Sequence, residues 1–140
     1  MFEYNIIENN ELDEVENLRK RVLNLTMVEK SFYYKELKNG KMQAIGVVLN
    51  NKLIAGAYIS NSLNSLYIEQ IFVDKQYQNK GVATNLINYI HKNKSIFENY
   101  FNSKFNVSKL EPNSKQIKKF YENLGYVESN DFQQSMKKRI

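Results

Sequence analysis

The residues best suited to chemistry stand between Tyr77 and Ile87, in the run YQNKGVATNLI. It contains Gln78-x-x-Gly81-x-Ala83, is entered from the strand-like IFVD, and passes into Val82, Ala83, Leu86, Ile87 and Ile90, which share one helical face. A helix start carries up to four backbone N–H groups without intrahelical partners and the positive end of the helix dipole, so it attracts anions. Gln78, Asn79, Lys80, Gly81, Val82, Ala83 and Thr84 would gather several such donors around one point. Gly81 lets a ligand approach the backbone, and Ala83 leaves space beside the first turn. A pyrophosphate fits this description. Lys80 either adds a point charge to a phosphate or is simply solvated. The P-loop and dinucleotide glycine patterns are both absent.

Other chemistry is narrowed by what the chain lacks. It has no cysteine, which excludes a disulfide framework, a thiolate nucleophile and cysteine-bound zinc. Its single histidine, His91, falls late in the segment after the loop, where a helix carboxyl end favours a partly cationic ring. One histidine without a close acidic partner argues against a metal site and against a serine-histidine-acid triad.

These residues need a scaffold, and 140 residues suffice for one domain, 1–140. No apolar run approaches the roughly 20 residues of a membrane span, and MFEYNIIENN has neither a basic leader nor a cleavage site, so a cytoplasmic protein is expected. The net charge of +5 comes from dispersed lysines, apart from KKR at 137–139, which argues against nucleic-acid binding. FEYNII reads as a first strand. Leu12, Val15, Leu18, Val22 and Leu25 stripe a helix from Glu11 to Thr26, and EKSFYYKELKN is a second helix stopped by Gly40. MQAIGVVL, KLIAGAYIS and SLYIEQIFV read as three antiparallel strands, the first pair joined by Asn50 and Asn51. Gly46 and Gly56 inside them suggest a bulge or the close approach of another group. After the loop helix, HKNKSIFENYFNS has no clear assignment. KFNVSKL is a strand, Ser114 to Leu124 a helix ended by Gly125, and YVES and FQQSMKK are closing strands. The order predicts an α/β (α+β) protein whose central sheet carries helices on both faces.

LYIEQIFVDKQYQNKGVATNLI resembles, over its whole length, the coenzyme-binding strand, loop and helix of the GCN5-related N-acetyltransferase (GNAT) family, whose motif is Gln/Arg-x-x-Gly-x-Gly/Ala. FYENLGY at 120–126 resembles a second family element, in the right order. The resemblance spans essentially the full chain and implies the GNAT fold, with a mixed, mostly antiparallel sheet. It implies acetyl-CoA as co-substrate, with no metal. The amides of Gln78 to Thr84 would hold its pyrophosphate, and the main chain of Ile71 and Val73 would pair with its pantetheine arm.

By the same resemblance, Tyr121 is the acid that protonates the departing thiolate, although it also lies on the apolar face of Ile117 and Leu124 and could be core. Glu69, nine residues before Gln78, is the candidate base, and Tyr67 holds the other position the family uses. Strand alternation puts Tyr67, Glu69, Ile71 and Val73 on one side, where a carboxylate either has a raised pKa or pairs with a lysine. The family asparagine that contacts pantetheine is replaced by Ser114, with Asn113 one position earlier; either could instead cap a helix. Phe32, Tyr33 and Tyr34 lie where the family's second helix borders the acceptor pocket, and read mainly as core. The implied reaction is transfer of acetyl to a primary amine of a small molecule or peptide by direct attack in a ternary complex. The competing reading is a non-catalytic acyl-CoA-binding or regulatory module of the same fold. No membrane partner is expected, and a homodimer stays open.

Overall fold

The computed structural model describes residues 1–25, 31–129 and 135–140. Strands β2 (Met42–Leu49), β3 (Lys52–Ser62) and β4 (Ser65–Val73) form two successive antiparallel hairpins. Asn50 and Asn51 take φ of 51° and 62°, and Leu63 and Asn64 take 51° and 63°. Two left-handed central residues match a hairpin turn to the twist of its strands. β1 (Glu3–Ile6) joins β2 antiparallel, β5 (Val107–Leu110) joins β4 parallel, and β7 (Met136–Arg139) lies between β5 and β6 (Val127–Glu128). The seven-stranded sheet has the order β1-β2-β3-β4-β5-β7-β6 and is mostly antiparallel, as expected.

Successive β3 residues divide the core. Ala57 and Ile59 belong to one apolar cluster and Tyr58 to the other, so the two clusters lie on opposite faces of the sheet. Helices α1 (Leu12–Val22) and α2 (Phe32–Lys38) close the Tyr58 face with Leu12, Val15, Leu18 and Leu37. Helices α3 (Val82–Lys92) and α4 (Lys94–Phe101) close the other with Leu86, Ile87, Ile90 and Phe97, and α5 (Lys115–Asn123) adds Phe120 and Tyr121 at its margin. Among the described residues no helix is long and apolar enough to cross a membrane.

Gly46 and Gly56 face each other across β2 and β3. A Cβ on Gly46 would stand 2.6 Å from Ile7 Cδ1, and one on Gly56 2.8 Å from the Phe72 ring, so close approach explains both glycines. Several boundaries differ from the sequence expectation. α1 stops at Val22 because Asn24 turns the chain with φ 55°, leaving Leu25 exposed; Thr26 lies outside the described residues. α2 is capped by Ser31, whose hydroxyl accepts from the Tyr34 amide at 3.1 Å, while Glu29 and Lys30 lie outside the described residues. The unassigned stretch after His91 contains α4, eight residues held by the fully buried Phe97. Phe132 to Gln134, expected at the start of the last strand, also lie outside the described residues.

Candidate active site

The loop before α3 is open. Gly81 is its N-terminal flanking residue, in the left-handed region at φ 80°, and Asn79 is also left-handed at φ 61°. A 3-10 turn over Lys75–Tyr77 starts the loop, and Asp74 caps it by accepting from the Gln76 amide at 3.3 Å. Gln78 ties the loop to the strand it leaves: its Nε2 donates to Val73 O at 2.9 Å, and its amide reaches Lys75 O at 3.4 Å. Among the described residues, no protein oxygen accepts a well-formed hydrogen bond from the amides of Asn79 to Thr84. Asn79, Lys80 and Gly81 are exposed. The amides of these three residues are therefore unoccupied on the surface, which an anion requires, while Val82 is buried.

Behind this loop, β4 has an open edge. β4 and β5 pair only from Leu66 opposite Ser108 to Ile68 opposite Leu110, and beyond Ile68 that edge of β4 has no partner strand among the described residues. The Asp74 amide donates to Ile54 O at 2.8 Å. By antiparallel alternation the main-chain groups of Ile71 and Val73 then point away from β3, toward the open edge. The Val73 carbonyl already takes the Gln78 side chain, leaving one lone pair free.

The expected alternation of β4 is corrected by a bulge. Tyr58 faces Gln70 and Ile59 faces Ile68, so Glu69 is the extra residue. Downstream of it the side chains exchange faces: Ile71 and Val73 pack toward the α3 cluster, and Phe72 packs with Tyr58. Glu69 therefore does not share its face with Ile71 and Val73. Its carboxylate accepts from Ser60 Oγ at 2.6 Å, and burial raises its pKa against the lowering effect of that bond, with Glu111 and Glu36 raising it further.

Glu69, Tyr67, Ile71, Asn113 and Tyr121 line one cavity of about 690 Å³, which Tyr33, Gln70 and Glu111 also border. Tyr121 packs its ring against Phe120 and Tyr126, with centroids at 5.3 and 5.8 Å, and burial raises its pKa. It is at once a core residue and part of the wall. The Tyr67 hydroxyl bonds Glu111, and burial together with that carboxylate raises its pKa. Ser114 caps α5 by accepting from the Ile117 amide at 3.2 Å, whereas Asn113 faces the cavity. The aromatic cluster on α2 divides: Phe32 is 64% exposed, and Tyr33 packs on Tyr58 at the cavity wall. Among the described residues, no three or more histidine, aspartate or glutamate side chains gather as metal ligands.

His91 is not the helix-end cation expected of it. Burial, aided by Lys138, pushes its pKa down to about 4. Its Nε2 lies 2.9 Å from Ser108 Oγ and 3.1 Å from the Tyr126 hydroxyl, and those two oxygens are 2.6 Å apart. Sequence reasoning also passed over Glu16, Arg19 and Gln70. Their signal was positional, since Glu16 and Arg19 follow Leu12 at helical spacing and so fall on the apolar face of α1.

The fold has many solved counterparts. The PaiA N-acetyltransferase of Thermoplasma acidophilum, in complex with coenzyme A, superposes with a TM-score of 0.74 at 11% identity, over 100% of this chain and 99% of that one. The ribosomal-protein-S18-alanine N-acetyltransferase of Escherichia coli gives 0.74 at 16%, over 100% and 94%. Aminoglycoside 6'-acetyltransferase type Ii gives 0.74 at 16%, over 98% and 96%. No curated protein sequence matches the chain. The sequence model of the acetyltransferase (GNAT) domain, by contrast, matches residues 8–138, and with the open loop and split sheet this places the chain in the GNAT acetyltransferase family.

Proposed function

We propose that the protein transfers the acetyl group of acetyl-CoA to a primary amine of a small molecule or peptide, by direct attack with both substrates bound, in the cytoplasm. The observation that carries this is that β4, whose edge has no partner strand beyond Ile68 among the described residues, leads from the cavity lined by Tyr121 and Glu69 to the unbonded amides at residues 79–84. Acetyl-CoA supplies an activated acyl group on a thiol leaving group. Asn79 to Thr84 hold its pyrophosphate with backbone donors, Gln78 keeps the loop folded against Val73, and Ile71 and Val73 offer main-chain groups to the pantetheine arm. Asn113 is the side chain available to that arm, since Ser114 is committed to capping.

An amine must lose a proton and a departing thiolate must gain one. Tyr121 donates to the sulfur; its raised pKa keeps the hydroxyl protonated at neutral pH. Glu69 accepts from the amine, directly or through water, and burial tunes its carboxylate toward a stronger base. An amine with a pKa of about 10.4 is neutral in roughly one molecule in 2,500 at pH 7, so the help needed depends on the acceptor. A panel of amines and peptide amino termini, followed by free thiol release from acetyl-CoA, tests the proposal. Amine-dependent release is expected. Tight acetyl-CoA binding with no release from any acceptor would favour a non-catalytic coenzyme-binding module.

A further inference from the structure

Two charges with no assigned part in the transfer are buried on α1. Glu16 and Arg19 are 3% and 4% exposed. Arg19 Nε donates to Glu16 Oε1 at 2.6 Å and Nη2 to Oε2 at 3.4 Å. Glu16 also accepts from Ser31 Oγ at 2.6 Å and from the Tyr58 hydroxyl at 2.8 Å. Burial opposes its charge, but the bonds from Arg19, Ser31 and Tyr58 outweigh burial and hold its pKa below the ordinary glutamate range. Such a pair is a weak source of stability, because desolvation offsets most of the attraction and apolar residues of equal volume often serve as well. Stability alone leaves it unexplained.

Its remaining bond points along the sheet. Arg19 Nη1 donates to Gln70 Oε1 at 2.9 Å, and Gln70 immediately follows the bulged Glu69. A bulge leaves its extra residue outside the ladder, so the strand pairing there does not by itself set the direction of that side chain. Here both strands are tethered to the same ion pair at the pair that borders the bulge, Gln70 through Arg19 and its cross-strand partner Tyr58 through Glu16. The Arg19 guanidinium also lies 4.9 Å over the Tyr33 ring, and Tyr33, Glu69 and Gln70 share the cavity wall.

We propose that Glu16 and Arg19 are positioning residues that lock the β4 bulge and thereby fix the Glu69 carboxylate in the cavity. The inference rests on the assignment of Glu69 as the base. Two variants of the full chain test it: Gln70→Met, which cuts the link to the bulge and keeps a side chain of similar length at the cavity wall, and the double variant Glu16→Leu/Arg19→Met, which replaces the pair by apolar side chains of similar size and leaves that wall intact. Each is expected to lower kcat by about tenfold to a hundredfold, the scale of a small misplacement of a reacting group, with little change in KM for acetyl-CoA. The acid limb of kcat/KM should move to lower pH as water reaches the Glu69 carboxylate; a purely structural role would leave that limb in place. Folded variants with the parent kcat and pH profile would overturn the inference. Glu69→Gln, assayed alongside, separates the two claims. If it is slow while Gln70→Met and the double variant match the parent, only the positioning role falls. If it keeps the parent rate, the base assignment and the positioning role fall together. Should the double variant fail to fold, Gln70→Met decides alone.

Discussion

Replacing Gly81 by leucine should abolish useful coenzyme binding and leave the protein folded. Gly81 sits at φ 80° and ψ 8°, and a side chain there costs about 1–2 kcal/mol of backbone strain. Space is not the difficulty: the nearest atom to an added Cβ is Asn85 Nδ2, at 4.0 Å. Against a domain stability of about 5–15 kcal/mol the loss is tolerable, lowering Tm by roughly 3–10 °C. The ligand is affected more. The added side chain stands among the amides proposed to hold the pyrophosphate, and each hydrogen bond to a charged group contributes about 1.5–3 kcal/mol. Losing two of them weakens binding by about 3–6 kcal/mol, roughly a hundredfold to twenty-thousandfold in Kd. Calorimetric titration with acetyl-CoA, beside a thermal melt, measures both quantities. Acetyl-pantetheine, which lacks the pyrophosphate, provides the control, since its kcat/KM should be much less affected. A folded Gly81→Leu protein that binds acetyl-CoA within a few fold of the parent would refute the loop assignment.

Tyr121→Phe should reduce kcat by about a hundredfold or more while KM for acetyl-CoA and Tm stay close to the parent, because the ring keeps its packing on Phe120 and Tyr126; undiminished turnover from neutral to alkaline pH would remove Tyr121 from the mechanism. Glu69→Gln can still accept from Ser60, so it should fold, lose at least about tenfold in kcat/KM, and lose the acid limb, which in the parent lies above the ordinary glutamate range. His91 predicts a pH dependence of stability. Its native pKa of about 4 lies below the unfolded value of 6.5, so its contribution is complete above pH 6.5 and declines as the unfolded chain takes up a proton, down to about pH 4. Between pH 7.5 and 5 this amounts to roughly 2 kcal/mol. Denaturant melts of the parent and of His91→Gln should differ in pH slope by that amount, and equal slopes would place His91 in contact with water.

Much of the architecture was legible because its signals are local. The hairpin at Asn50 and Asn51 needs only two residues that tolerate positive φ, and the α1 stripe only apolar residues a turn apart. The left-handed glycine at the start of α3 was legible for the same reason, as glycine, small residue and helix start are contiguous in the chain. The site itself was legible in part. Of the residues named from motif spacing, Tyr67, Glu69, Ile71, Asn113 and Tyr121 line one cavity, whereas Val73 and residues 78–84 do not, and that division depended on features no motif contains. The bulge at Glu69 sends Ile71 and Val73 to the opposite face, and Ser114 rather than Asn113 takes the cap of α5.

By itself the sequence settled the strand pairing around β3 and the order of the elements apart from α4, since each follows from neighbours within a turn or a hairpin. Only the tertiary structure decided the charge state of His91, which follows from its burial, aided by Lys138 47 positions away. It also decided that Arg19 reaches Gln70 across 51 positions. Burial and hydrogen bonding between distant segments set these properties. Desolvation is a property of the packed interior and has no counterpart in the linear chain.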